Sequence, residues 1–296
     1  MKKLKFKKID AFTKGRSSGN PAGYILLGND EKLNEEEMQK IAIELKGFVN
    51  EVGFVDKSEH IYNLRFYSSE CEVAFCGHAT IAIMYDLLCN DKKLSAEKEV
   101  LINVKAGTLS VFNHLKEDDA IFIMAPPPRL LNCTMEPSEI AEALGINTTD
   151  IDSNLNIGLI DGGLRTLLVP ITTLDVCLKM YPNQEKLRDF TLDHDFDIVH
   201  VFVKDTYNPD AKYRTRVFAP KFGYLEDPAT GSGNSAFGYY LLEENMWPGN
   251  FTVEQGPSLT NPNLVKLKKY ENDGETRMLF GGCCTTRIDG EYLLQS

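Results

Sequence analysis

No apolar run in the 296-residue chain approaches the ~20 residues that span a bilayer. No C-x-x-C pair occurs, which weakens zinc-ribbon and thioredoxin-like readings. G-x-S-x-G, P-loop and H-E-x-x-H motifs are all missing. Basic residues are in deficit: 32 Lys and Arg face 43 Asp and Glu, a formal charge of −11. Such a surface repels nucleic acid and anionic membrane, and neither is expected as a partner. Any bound carboxylate or phosphate then needs a dedicated local site. The seven cysteines are odd in number, and the N-terminus has no apolar core of a signal peptide. Reduced thiols and a cytoplasmic location are expected.

What is present is ordinary for a globular protein: 43 % hydrophobic and 25 % charged residues, enough chain for about two domains. Disordered and fibrous classes are excluded. The lysine-rich start, residues 1–8, alternates with Leu4 and Phe6 and reads as an edge strand. Asn34 reads as the cap of a helix ending at Gly47. Further strands fall at residues 51–56, 63–67, 100–104, 108–115 and 120–124, and a helix at 78–89. Pro126-Pro127-Pro128 is the best domain boundary. Beyond it come a helix at 138–144, strands at 155–160, 165–170, 196–204 and 213–218, a helix at 231–244, and strands at 251–255, 264–270, 278–281 and 286–288. Strands outnumber helices without regular βαβ alternation, which predicts an α+β fold.

A faint internal repeat runs through this order. In one copy Phe66 precedes Cys76-Gly77-His78 and Leu87; in the other Phe218 precedes Thr230-Gly231-Ser232-Gly233 and Leu241. In each, a strand enters a loop that delivers glycine to a helix mouth, with leucine ten residues on. The repeat predicts two like-folded lobes, each with a central helix. Free N–H groups at those helix starts make an anion site, and small residues let a ligand approach the backbone. The plainer reading is capping by Thr80 or Ser232. Gly231-x-Gly233 with Glu254 downstream mimics a dinucleotide fingerprint, but the glycine spacing and surroundings are wrong for one.

Other candidates are single residues. Asp227 precedes a helix mouth, as a cap or a catalytic acid. Glu51 opens an apolar strand, where a glutamate is usually solvated; it becomes interesting if it faces the glycine loops. The helix dipole would bias His78 toward neutral imidazole and Cys76 toward thiolate; Cys76 also reads as a small buried hydrophobe. His194 and His200 flank Asp193-His194-Asp195-Phe196-Asp197 without a matching second cluster, so no metal site is expected. His60 and His114 read as loop and strand-end residues.

Four blocks then stand in order: Gly19-Asn20-Pro21-Ala22, Asn50-Glu51-Val52-Gly53-Phe54-Val55, Phe75-Cys76-Gly77-His78-Ala79-Thr80 and Glu226-Asp227-Pro228-Ala229-Thr230-Gly231-Ser232-Gly233. Together they resemble the signature blocks of the PhzF-like phenazine biosynthesis family, across nearly the whole chain. The resemblance implies a fold similar to diaminopimelate epimerase: two pseudo-symmetric lobes, each a mixed sheet wrapped around a central helix. The N-terminal lobe would cover residues 1–125 with returning strands 280–296, and the C-terminal lobe residues 126–279. It implies an isomerase of a small carboxylate-bearing metabolite, with no cofactor or metal and its site in the cleft between lobes. Glu51 is matched to the carboxylate that takes a proton from carbon and returns it elsewhere. His78 and Asp227 match its polar partners. Gly77, Ser232 and Gly233 would hold a substrate carboxylate, with Asn20, Cys76, Thr230 and Gly231 completing the substrate-binding set. A homodimer is compatible with the resemblance.

Two departures qualify it. Related epimerases use two facing cysteines, whereas the repeat partner of Cys76 is Thr230, a poor acid at neutral pH. Asn50 stands where the family often has serine, which bears on the orientation of Glu51. An epimerase or racemase using Cys76, and a non-catalytic ligand-binding protein on the same scaffold, are the competing readings.

Overall fold

The computed structural model describes residues 1–28, 31–57, 61–272 and 274–295; His60 lies outside them. In chain order come β1 (Lys2–Ala11), β2 (Asn20–Leu27), α1 (Glu35–Glu44), β3 (Glu51–Lys57), β4 (Tyr62–Ser68), β5 (Glu72–Val73) and α2 (Gly77–Asn90). Next are β6 (Glu99–Val104), β7 (Gly107–His114), α3 (Leu115–Asp118), β8 (Ala120–Met124), β9 (Arg129–Leu131), α4 (Pro137–Leu144), β10 (Gly158–Asp161) and β11 (Arg165–Pro170). Then follow α5 (Leu174–Lys179), α6 (Gln184–Asp193), β12 (Ile198–Val203), β13 (Ala211–Phe218), β14 (Glu226–Asp227) and α7 (Gly231–Glu243). The last are β15 (Phe251–Gln255), β16 (Asn263–Asn272), β17 (Glu275–Gly282) and β18 (Cys284–Leu294). The chain divides into two compact units, one of Met1–Lys14, Ser18–Met124 and Gly281–Ser296, the other of Gly15–Ser17 and Ala125–Phe280.

In the first unit β1 pairs antiparallel with β18 on one side and β2 on the other. β2 and β3 are parallel, β3 and β4 antiparallel, β4 and β6 parallel, and β6, β7 and β8 antiparallel. Helix α2 packs against β1, β2, β3, β8 and β18, strands from both ends of this order, so the sheet wraps around it. Its sequence permits this: Ala79, Ile81, Ala82, Ile83, Met84, Leu87 and Leu88 are all buried, leaving no polar face. A second core lies under α1, where Met38, Ile41 and Ala42 meet Leu4, Ile25, Val52 and Phe54. Asn34 caps α1 in a reciprocal box with Glu37, and the helix ends at Glu44, just short of the expected glycine.

The N-terminal strand is a correction. Lysines usually mark an exposed edge, yet β1 has neighbours on both sides. Lys7 is buried because its ammonium meets both oxygens of Asp86 at 2.9 Å, and Asp86 comes from the central helix. Glycine is required at Gly19, where φ is +69° and a Cβ would stand 2.6 Å from the carbonyl oxygen of Ala11.

The second unit repeats the plan. β10 and β11 are antiparallel, β11 and β12 parallel, β12 and β13 antiparallel, β13 and β15 parallel, and β15 and β16 antiparallel. Helix α7 packs on β10, β11, β12 and β16, and Phe237, Tyr239, Tyr240 and Leu241 bury its sides. The α4–α6 helices cover another core with Ile140, Leu144, Cys177 and Leu187 against Val199 and Val201. β12 is therefore buried on both faces: its valines face that core, while His200 and Phe202 stack on Phe237 of α7. The registers pair Tyr67 with Glu72 and Phe218 with Glu226. The repeat thus aligns Tyr67 with Phe218, one residue from the match read in the sequence.

His200 is fully buried, and neither ring nitrogen has a hydrogen-bond partner. Its strand neighbours are Leu168 and Val217, and burial pulls its pKa down to about 3. The unfolded chain takes up this proton below the ordinary value of about 6.5, whereas the native ring stays neutral. Stability is therefore lost as pH falls from about 6.5 toward 3, by roughly 1.4 kcal/mol per unit. His200→Phe keeps the stack on Phe237 and should remove this dependence. Between pH 7 and 5 the wild type should lose about 2 kcal/mol more than the variant in denaturant unfolding; equal losses would refute the assignment.

Candidate active site

The helix α2 N-terminus is built from local rules. Cys76 is its N-cap in extended conformation and makes no side-chain capping bond, so the first-turn N–H groups are not closed off by a cap. Thr80 donates its hydroxyl to the carbonyl of Cys76 at 2.7 Å instead. Thr80 is thus a satisfied polar residue, as the plainer reading has it, but the N-caps are Cys76 and Thr230 rather than Thr80 or Ser232. His78, in the first turn, turns back so that Nδ1 lies 3.5 Å from the Cys76 sulfur. Glu51, first residue of β3, brings Oε2 to 3.2 Å from His78 Nε2. This contact is an ion pair without hydrogen-bond alignment, since Glu51 Oε2 is buried and receives no aimed N–H.

The electrostatics differ from the sequence expectation. Burial works against the imidazolium of His78, but the Cys76 sulfur and the Glu51 carboxylate outweigh it and hold His78 well above the ordinary histidine value. The helix dipole does not neutralise it. Burial pushes the Cys76 thiol up, while His78 and the Ala79 N–H pull the other way. The direction for Cys76 is upward, so the buried reading prevails over the thiolate one. The site thus brings a carboxyl group, an imidazole and a thiol into contact.

In the second unit Asp227 lies on β14 and accepts the hydroxyl of Thr230, the N-cap of α7. Sequence reasoning missed the group that organises this pair. Gln255, buried at the end of β15, donates to the Asp227 carbonyl at 2.9 Å and to Thr230 Oγ1 at 3.2 Å. Its own oxygen accepts the Thr230 N–H at 3.0 Å and the Asn234 amide at 2.7 Å. Asn234 also bonds back to the Thr230 carbonyl, as Thr80 does to Cys76. The available signal was the repeat itself, which places Asn234 opposite Thr80. Asn20 is buried at the start of β2, two positions before Ala22, the residue in register with Glu51.

A second duplicated feature was also missed. Arg65 pairs with Glu72 at 2.7 Å and lies over the Tyr67 ring; Arg216 pairs with Glu226 at 2.8 and 2.9 Å and lies over Phe218. Each pair fixes the two-residue strand that leads into a helix mouth. Glu226 thereby orients the neighbouring Asp227.

The glycines of α7 owe their size to packing. A Cβ on Gly231 would meet the Phe280 ring at 2.3 Å, and one on Gly233 would meet Ile198 at 3.1 Å. Gly231→Ala should destabilise the protein by about 1–3 kcal/mol through overpacking, checked by thermal unfolding beside Gly231→Ala/Phe280→Leu, which should recover much of the loss. An unchanged single variant would refute this packing role. Two of the other described histidines sit away from this cluster: His194 lies tilted against Phe190, and His114 approaches Asp118 at 3.2 Å. Glu254 is fully buried against Arg214, which removes the dinucleotide reading.

Comparison with known proteins places this geometry. The fold, two lobes each with a central helix, is shared with a hydroxyproline epimerase from Agrobacterium vitis solved with trans-4-hydroxy-L-proline, at 13 % identity and TM-score 0.59, covering 99 % of this chain and 91 % of that one. The PhzC-PhzF family model, described as phenazine biosynthesis-like protein, matches residues 9–290, and the chain belongs to that family. The Bacillus anthracis PhzF-family protein superposes with TM-score 0.88 at 27 % identity, covering 99 % of this chain and all of that one. YfhB of Bacillus subtilis, an uncharacterized isomerase, is 33 % identical over 288 residues, 95 % of this chain and 96 % of that one. Among the described residues no helix is long and apolar enough to cross a membrane.

Proposed function

We propose that the protein isomerises a small carboxylate-bearing metabolite by moving a proton on carbon, with Glu51 as the carrier. The observation that supports this is the 3.2 Å approach of the Glu51 carboxylate to His78 beside a helix N-terminus. A carbon acid next to a carboxylate or conjugated system builds negative charge as its proton leaves. Aimed N–H groups and the His78 imidazolium stabilise that charge, and one such donor is worth ~3 kcal/mol. In this reading Gly77 offers backbone to the substrate carboxylate, and Asp227 and Thr230 bind substrate through the hydrogen-bonded array on Gln255, with Asn20, Ser232, Gly231 and Gly233 in supporting places.

Contact between Cys76 and His78 favours a second reading, an epimerase in which the thiol carries the proton. Against a two-thiol version stands Thr230, whose hydroxyl is committed to Asp227. The test is proton exchange in D₂O with a panel of amino acids, hydroxy acids and β,γ-unsaturated carboxylates, followed by NMR. Loss of one C–H signal or migration of a double bond would support the isomerase and identify the substrate class. Exchange that dies with Cys76→Ser but survives Glu51→Gln would move the carrier to the thiol. Binding without exchange across the panel would favour the ligand-binding reading.

A further inference from the structure

We infer that Glu51, Cys76 and His78 form a binding site for a thiophilic divalent cation, with Zn²⁺ the best fit, and that the bound ion silences the site. The three side chains offer one oxygen, one sulfur and one nitrogen within 4.8 Å of one another, and among the described residues no other group of three or more such ligands does so. This is a donor set that zinc takes, with a fourth position left for water. A tetrahedral ion about 2.3 Å from sulfur and about 2.0–2.2 Å from nitrogen and oxygen sets its ligand atoms roughly 3.3–3.6 Å apart. Here Glu51 Oε2 and His78 Nε2 are 3.2 Å apart, and His78 Nε2 and Cys76 Sγ 4.0 Å. Small side-chain rotations close the difference.

A further observation points the same way. Glu51 Oε2 is buried without an aimed donor, an acceptor that a cation would satisfy. The charges balance: Zn²⁺ displaces the thiol proton of Cys76 and one proton of His78 to solvent, leaving thiolate, carboxylate and neutral imidazole around the ion. The metal site stands on geometry alone; its inhibitory consequence rests on the proposed role of Glu51.

The test uses the full chain after chelator treatment, titrated with Co²⁺ and then Zn²⁺. One equivalent of Co²⁺ should give a thiolate-to-cobalt charge-transfer band that Zn²⁺ abolishes. Cys76→Ser should lose the band, and His78→Asn and Glu51→Gln should weaken binding at least tenfold, with circular dichroism checking that each variant is folded. Stoichiometric Zn²⁺ should stop the exchange reaction, and EDTA should restore it. Absence of the band at saturating Co²⁺, or its survival in Cys76→Ser through the exposed Cys71 or Cys89, would overturn the inference. Glu51-dependent exchange without a cobalt site would sink this inference alone. A mapped cobalt site in a protein that exchanges no proton would uphold it and defeat the proposed function.

Discussion

Glu51→Gln should slow proton exchange by about 10²–10⁴-fold, the usual contribution of a general base, with the fold and substrate affinity nearly unchanged. Glutamine has almost the same volume, and its carbonyl oxygen can occupy the place of Oε2 against His78 Nε2, 3.2 Å away in the native protein. What it cannot do is take a proton at neutral pH. The loss should therefore fall on kcat rather than KM, because the substrate carboxylate is held by other groups. Glu51→Ala is a poorer probe, since it also removes the whole side chain that meets His78. Thermal unfolding of Glu51→Gln within a few degrees of wild type would show that the kinetic loss is chemical. Retention of exchange within a few-fold would remove Glu51 from the role, and Cys76→Ser would then be the informative variant.

Much of this site could be read in the sequence because its parts obey short-range rules. Gly77 and Gly231 open helices whose apolar residues are spread around the axis rather than along one stripe, and such helices are central. Strands such as β3 and β13 have pattern enough to be placed within a residue or two. The two-residue strands β5 and β14 have no periodicity at all, so the Arg65–Glu72 and Arg216–Glu226 pairs were invisible. Gln255 was missed because a buried amide in a strand acquires meaning only from its four hydrogen bonds, all of them to Asp227, Thr230 and Asn234, more than twenty residues earlier. The lysines of β1 read as an edge because their partners, above all Asp86, are far along the chain. Helices α5 and α6 had readable caps in Thr173 and Asn183, which bond Val176 and Lys186 N–H groups, but short amphipathic stretches between strands were passed over. The acidic stretch beside His200 says nothing of where the ring goes; strand alternation aims it into the α7 core.

Glu254→Ala should cost about 3–5 kcal/mol, the usual penalty for stranding one partner of a buried ion pair. Arg214 and Glu254 are fully buried and in direct register across β13 and β15. Every N–H of the Arg214 guanidinium is used: Nε and Nη2 donate to Glu254 Oε2 at 3.1 and 2.9 Å, and the others to the carbonyls of Gly256, Ser258 and Leu259. Glu254 in turn accepts the N–H groups of Tyr207 and Asn208 at 3.0 and 2.7 Å. Replacing both charges by apolar residues often restores stability elsewhere. Here Arg214→Met/Glu254→Leu should not, because three carbonyls and two N–H groups lose their partners, at about 1–3 kcal/mol for each that stays buried and unpaired. Denaturant unfolding of both variants decides the matter: a double variant within 1 kcal/mol of wild type, a limit set by the usual net value of one hydrogen bond at about 1 kcal/mol, would mean that the pair is dispensable. The consequence reaches the site through one residue. Successive strand residues face opposite ways, so the pair that holds Glu254 on one face of β15 fixes Gln255 on the other. Loosening β15 at Glu254 should therefore disturb the Asp227–Thr230 bond before the unit unfolds, and substrate affinity should fall at temperatures where the variant is still native.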